Sequence, residues 1–195
     1  MKKTLLLTLF FAMFALPAFA KDQVTIFEIP REPASRDFYT STGKPIKLSS
    51  LKGKFTLVVF WSKHCGPCVR ELKDLNEFYL KTRDDGIDVV MISADNEWES
   101  INEQRRYLDR RGARDLDFYL DRRGDLTADV GIFSFPNSLL INSSGKEIGR
   151  VRGSAKWGKD DIIEQIYQIK AKSNDYERKK DKRLMKVDKI EVEEI

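Results

Sequence analysis

The stretch Trp61-Ser62-Lys63-His64-Cys65-Gly66-Pro67-Cys68-Val69-Arg70-Glu71 holds both cysteines and the single histidine of this 195-residue chain. A disulfide between Cys65 and Cys68 closes so small a loop that it removes little entropy from the unfolded chain, so a structural staple explains the pair poorly. A structural zinc site wants four ligands, and His64 with the two cysteines supplies three, with no second C-x-x-C to complete a tetrahedron. What remains is a dithiol that opens and closes, the reading that C-x-x-C carries when a strand hands over to a helix.

The flanking sequence meets that condition. Lys54 to Trp61 is a nearly continuous apolar and β-branched run, suited to a central strand buried on both faces. Pro67 fits a first helical turn, where no N–H is required. Beyond it Val69, Leu72, Leu75, Phe78 and Tyr79 recur with helical period. Gly86 and Ile87 open a second apolar strand, Val89 to Ser93, and a polar helix is expected from about Glu97 to Arg111. A short strand at Asp117 to Leu120, a turn at Arg123-Gly124, a short helix to Val130 and a hairpin of Ser138 to Asn142 with Glu147 to Val151 follow. A last amphipathic helix carries Ile162, Ile163, Ile166 and Ile169 on one face. Upstream, Phe38 to Thr40 and Ile46 to Leu48 flank Thr42-Gly43 as a small amino-terminal hairpin. The class is α/β.

The ends have a different character. Met1-Lys2-Lys3 is a basic start, Leu5 to Leu16 is an apolar run, and Ala18-Phe19-Ala20 has the small-x-small form of a signal peptidase site. That run is shorter than the roughly 20 residues of a spanning helix, so residues 1–20 are expected to be a signal peptide cleaved after Ala20 rather than a retained anchor. Residues 21–172 are expected to form one domain. Past Ser173 the apolar period fades into ERKKDKRLMKVDK, and 173–195 is expected to be a solvated, flexible charged tail. A formal charge of +4 with 34% charged residues of mixed sign describes a soluble surface and not a nucleic-acid footprint. Export implies an oxidising compartment, the periplasm or cell envelope, where a dithiol is kept reduced only by a dedicated donor.

Taken in order, the pieces resemble the thioredoxin fold and, within it, exported thiol-disulfide oxidoreductases of the TlpA/ResA/DsbE type. The resemblance runs from about Phe38 to Ile169. It rests on Leu48-Ser49-Ser50-Leu51-Lys52-Gly53-Lys54, Phe60-Trp61, Cys65-Gly66-Pro67-Cys68, Glu71, the extra helix-strand insertion, Phe135-Pro136-Asn137-Ser138 and Ile141-Asn142-Ser143-Ser144-Gly145. It implies a central mixed sheet flanked by helices and a cis Pro136 lying against the dithiol. It also implies disulfide-containing protein substrates and a membrane thiol-electron donor, with no cofactor beyond the Cys65–Cys68 couple. Three departures stand out: His64 where relatives carry an aromatic, Val59 where thioredoxin has a buried acid, and a bulky Phe135 before the proline.

Cys65, at the amino end of a helix, is the expected nucleophile, because free N–H groups and the dipole favour the thiolate. Cys68, one turn in, resolves the mixed disulfide. With Val59 offering no proton acceptor, Glu71 at i+3 from Cys68 is the expected base. Trp61, His64, Phe135 and Pro136 are the expected substrate-facing set, Trp61 chiefly as a packing residue that shields the dithiol. A rival reading is an exported Cu(I) carrier using His64, Cys65 and Cys68 as soft ligands, against which stand a proline crowding the dithiol and the lack of Met-rich segments.

Overall fold

The computed structural model describes residues 23–193, with side chains through residue 183, and the expected signal peptide lies outside the described residues. The strands are β1 Val24–Arg31, β2 Phe38–Thr40, β3 Pro45–Ile46, β4 Phe55–Phe60, β5 Ile87–Ala94, β6 Asp117–Asp121, β7 Asn137–Ile141 and β8 Glu147–Arg152. The α-helices are α1 Gly66–Thr82, α2 Ile101–Arg110, α3 Asp125–Asp129 and α4 Asp160–Glu193. All the strands join one sheet in the order β1-β8-β7-β4-β5-β6-β2-β3. β4, β5 and β6 are parallel while β7 runs antiparallel to β4, so the sheet is mixed, with the thioredoxin-like arrangement of helices on its faces.

Every residue of β4 is buried, and its alternation feeds two cores. Leu57 and Val59 face a cluster with Leu72, Leu75 and Phe78 of α1 and Ile162, Ile163 and Ile166 of α4. Val58 and Phe60 face the opposite cluster, with Phe38, Leu126 and Leu139. Each such Leu, Ile or Phe stabilises the fold by about 1.5–3 kcal/mol relative to exposure. That packing fixes the end of β4 and the start of α1 relative to each other.

Three regions differ from expectation. No strand is expected over residues 24–31, yet β1 pairs antiparallel with β8 at the sheet edge, with a register shift between Ile26 and Arg31. Most of β1 is exposed and carries Pro30, so it lacks the alternation that marks a strand, and an edge tolerates the proline. Gly149 makes the pairing fit, since a Cβ there would lie 2.5 Å from the Thr25 carbonyl oxygen. The polar helix starts at Ile101 rather than near Glu97, because Asp95–Glu97 forms a separate 3-10 turn and Ser100 caps α2 by accepting the Glu103 N–H at 3.1 Å. Finally, no break in α4 marks residue 173: the backbone stays helical to Glu193. Asp175 pairs with Arg178 at 3.3 Å and Lys179 at 2.6 Å, and Asn142 Nδ2 donates to Glu177 at 3.1 Å. Helix-spaced charges thus take over where the apolar stripe ends. No helix among the described residues is long and apolar enough to cross a membrane.

Candidate functional site

The site forms where β4 ends. The Trp61 N–H donates to the Ile92 carbonyl at 3.0 Å and the chain then turns, with the Cys65 N–H donating to the Ser62 carbonyl at 3.1 Å. Ser62 Oγ accepts the His64 N–H at 3.1 Å, and Glu97 Oε2 accepts the Lys63 N–H at 2.9 Å. Cys65 is the N-cap of α1 in extended conformation, and its sulfur accepts the Cys68 N–H at 3.2 Å. An orphan helix donor is therefore aimed at the sulfur, where it favours the anion once the bond to Cys68 opens. The two cysteines are joined as a disulfide; Cys65 is half-buried and Cys68 is fully buried.

Glu71 lies one turn beyond Cys68 and is only 3% exposed. The Ala155 N–H at 3.1 Å and the Trp157 indole N–H at 3.3 Å both donate to its Oε2. Burial, helped by the charge of Asp74, outweighs the two hydrogen bonds that favour the anion and leaves the Glu71 carboxyl raised to about 7. Trp157 is held by an edge contact with Phe78, ring centres 5.9 Å apart. Val59 faces the same cluster as Cys68. On the helix face of buried Cys68 there is thus a buried carboxyl whose proton affinity is raised toward neutral pH.

Trp61 is 1% exposed and stacks among Trp98 at 5.7 Å and Tyr107 at 6.3 Å between ring centres. Buried so, in the same core cluster as Cys68, it is a packing residue, as its chief reading has it, and exposes almost no surface to a substrate, which removes it from the substrate-facing set. The other three members are at the surface or beside it. Asn137 pairs with Phe60 in the sheet, so Pro136, one residue earlier, lies at the same end as the 61–65 turn. The Phe135–Pro136 peptide bond is cis, and the Pro136 carbonyl accepts the Gly153 N–H at 2.9 Å. His64 is exposed and Phe135 is 39% exposed.

Several residues at the site are absent from the sequence reading. Phe133 is 95% exposed, two residues before Phe135; the Phe-Ser-Phe-Pro run carried the signal, since an aromatic outside any periodic segment has no core to enter. Ala155 and Trp157, which hold Glu71, come from 84 and 86 residues away, and no local pattern announces such a contact. Lys63 is a third case, gripped by Glu97, Trp98 and Glu103 of the segment between β5 and β6 that carries α2, the helix of the insertion. Among the described residues, no group of three or more His, Cys, Asp or Glu side chains is placed to hold a metal ion.

A thioredoxin-like sheet with a C-x-x-C disulfide at the amino end of its first long helix defines a thiol-disulfide oxidoreductase. The comparisons agree: the redoxin family model matches residues 16–166, and the chain belongs to that family. Thiol-disulfide oxidoreductase ResA of Bacillus thuringiensis subsp. konkukian (strain 97-27) is 32% identical over 127 residues, 65% of this chain and 70% of that protein. Sporulation thiol-disulfide oxidoreductase A of Bacillus subtilis (strain 168) is 31% identical over 119 residues, 60% and 70% of the two chains. Among solved structures, a thioredoxin family thiol:disulfide interchange protein from Chlorobium tepidum TLS superposes with TM-score 0.55 at 26% identity, covering 70% of this chain and 96% of that one. StoA from Bacillus subtilis superposes with TM-score 0.54 at 24% identity, covering 71% and 98%.

Proposed function

We propose that this oxidoreductase is exported and works as a reductant of disulfides in proteins of the cell envelope. In the reaction, the Cys65 thiolate attacks one sulfur of a substrate disulfide and displaces the other as a thiolate. Cys68 then loses its proton and attacks Cys65, which releases the reduced substrate and leaves the Cys65–Cys68 disulfide. The observation that carries this reading is the buried Glu71 carboxyl, held near neutrality on the face of α1 it shares with Cys68. It can accept the proton that the second attack requires.

The direction is supported by Gly66-Pro67 between the cysteines, the pair found in reducing thioredoxins. Export is supported by the basic start, apolar run and Ala18-Phe19-Ala20 of the amino terminus. A reductant in an oxidising compartment needs electrons delivered from across the membrane, so the partner on the other side of the cycle is a membrane thiol donor. Equilibration of the purified protein against glutathione buffers tests the direction: a potential nearer about −270 mV is expected, and one nearer about −120 mV would make the protein a disulfide donor.

A further inference from the structure

Lys63 stands two residues before Cys65, and the insertion grips it at three points. Glu97 Oε2 accepts its backbone N–H at 2.9 Å, its ammonium lies 3.3 Å from Glu103 Oε1, and the same ammonium sits 4.7 Å from the centre of the Trp98 ring. The grip is itself braced. Trp98 Nε1 donates to Ser93 Oγ at 2.9 Å, and the other oxygen of Glu103 accepts the Glu99 N–H at 2.7 Å. The Lys63 and Glu103 side chains are 21% and 29% exposed, so solvent screens their attraction less than it would on an open surface.

A free ammonium two residues from the nucleophile would stabilise the thiolate, and with it the reduced form, making the dithiol a stronger oxidant. We propose that Glu103 is a positioning residue for the redox reaction: by pairing with Lys63 it withholds that charge from Cys65 and keeps the reduction potential low. The proposal deepens the reductant reading and rests on it. The other charged or titratable groups around the turn are His64, Glu97, Glu71 beneath and Arg70, whose Nη1 would lie 3.4 Å from a Cβ built on Gly66; Arg106 acts on Glu103 from α2. The insertion becomes, on this account, the part of the chain that sets how strongly the dithiol reduces.

The test is equilibration of the full chain with glutathione, in which two glutathione thiols deliver two electrons and two protons to the Cys65–Cys68 disulfide and leave as one glutathione disulfide. Glu103→Gln should shift the equilibrium about threefold toward the dithiol, a potential about 14 mV less negative by the two-electron relation, and should lower the pH midpoint of Cys65 alkylation. Lys63→Met should shift both readouts the opposite way, the double variant should return close to wild type, and Glu103→Asp should stay near it. Opposed signs are the mark of charge, because simple loosening of the turn moves both single variants together. Shifts of the same sign, or none, overturn the proposal. If Glu103→Gln does not fold, Lys63→Met against the charge-keeping Lys63→Arg decides alone. A wild-type potential nearer about −120 mV would instead overturn the reductant reading beneath it, whatever the signs of the variants' shifts.

Discussion

Cys65 and Cys68 are three residues apart, yet their surroundings are opposite: Cys65 is half-buried in a turn beside exposed His64, at the sheet end that also bears Phe135, while Cys68 is fully buried on the helix face of Glu71. The contrast follows from the geometry of a helix start. The N-cap residue remains outside the helix with a free N–H aimed at its side chain, while the residue three positions on has turned inward onto the core. Access and a helix donor go to one sulfur, seclusion and a helix face shared with a buried carboxyl to the other. An exposed resolving thiol would compete for substrate, and a buried attacking thiol would never meet one.

Removing either sulfur is the most severe way to break this contrast. Cys65→Ser should reduce insulin-disulfide reduction to the uncatalysed background and trap no partners, whereas Cys68→Ser should accumulate mixed disulfides detectable on non-reducing gels. Equal trapping by both variants would remove the division of roles. Glu71→Gln comes next and sharpens the buried side. It should slow release of the mixed disulfide by about 10²-fold, within the usual range for a general base, and abolish a pH dependence that in the wild type rises through about 7.

The same carboxyl makes a stability prediction. Its folded value of about 7 lies above its ordinary value of 4.5, so the folded state binds more protons between those limits. Stability is therefore fully present below about 4.5 and declines as pH rises through about 7, by up to ~3 kcal/mol, after which it levels off. Urea unfolding at pH 5 and pH 8 should show the decline in the wild type and not in Glu71→Gln. A smaller change on the same side is Trp157→Phe, which keeps most of the ring and removes one donor to Oε2. It should raise the midpoint of the release step further and destabilise the protein by about 1 kcal/mol. An unmoved midpoint would show that the indole hydrogen bond does not tune Glu71.

How much of this was legible in the sequence depends on where the physics is local. The buried run ending at Trp61, the helical spacing from Val69 to Tyr79 and the C-x-x-C between them place the dithiol at a strand-to-helix junction, because periodicity and cap chemistry act over a few residues. The spacing of Cys68 and Glu71 puts a carboxyl on the helix face that Cys68 shares, and its raised proton affinity becomes visible only with burial in the fold, where the 155–157 segment meets it. A tryptophan at the end of a buried strand, Trp61, reads both as a packing residue and as part of a substrate-facing set, and only its burial against Trp98 and Tyr107 favours packing. β1 has no local signal, because an edge strand with Pro30 and mostly exposed side chains obeys no alternation, and its partner β8 lies far along the chain, Val24 pairing with Val151. Local signals fixed the outer sulfur's setting; long-range packing built the inner one's.

The mildest expected perturbation lies at the outer rim, in Phe133→Ala. At 95% exposed the ring contributes little to the fold, so unfolding free energy should change by no more than about 0.5 kcal/mol. Phe133 lies two residues before Phe135 and three before the cis proline, so it is expected to extend whatever surface those residues offer a substrate. An aromatic side chain that becomes covered by a partner contributes roughly 1 kcal/mol, which corresponds to about a fivefold rise in KM for a protein substrate. Glutathione disulfide presents far less apolar surface than a protein, so its rate should change less than that of a protein substrate. The comparison of the two substrates isolates contact from chemistry: an equal loss with both would mean that Phe133 shapes the turn around the dithiol, and a loss with neither would remove it from the docking surface and leave Phe135 and Pro136 to define the outer side.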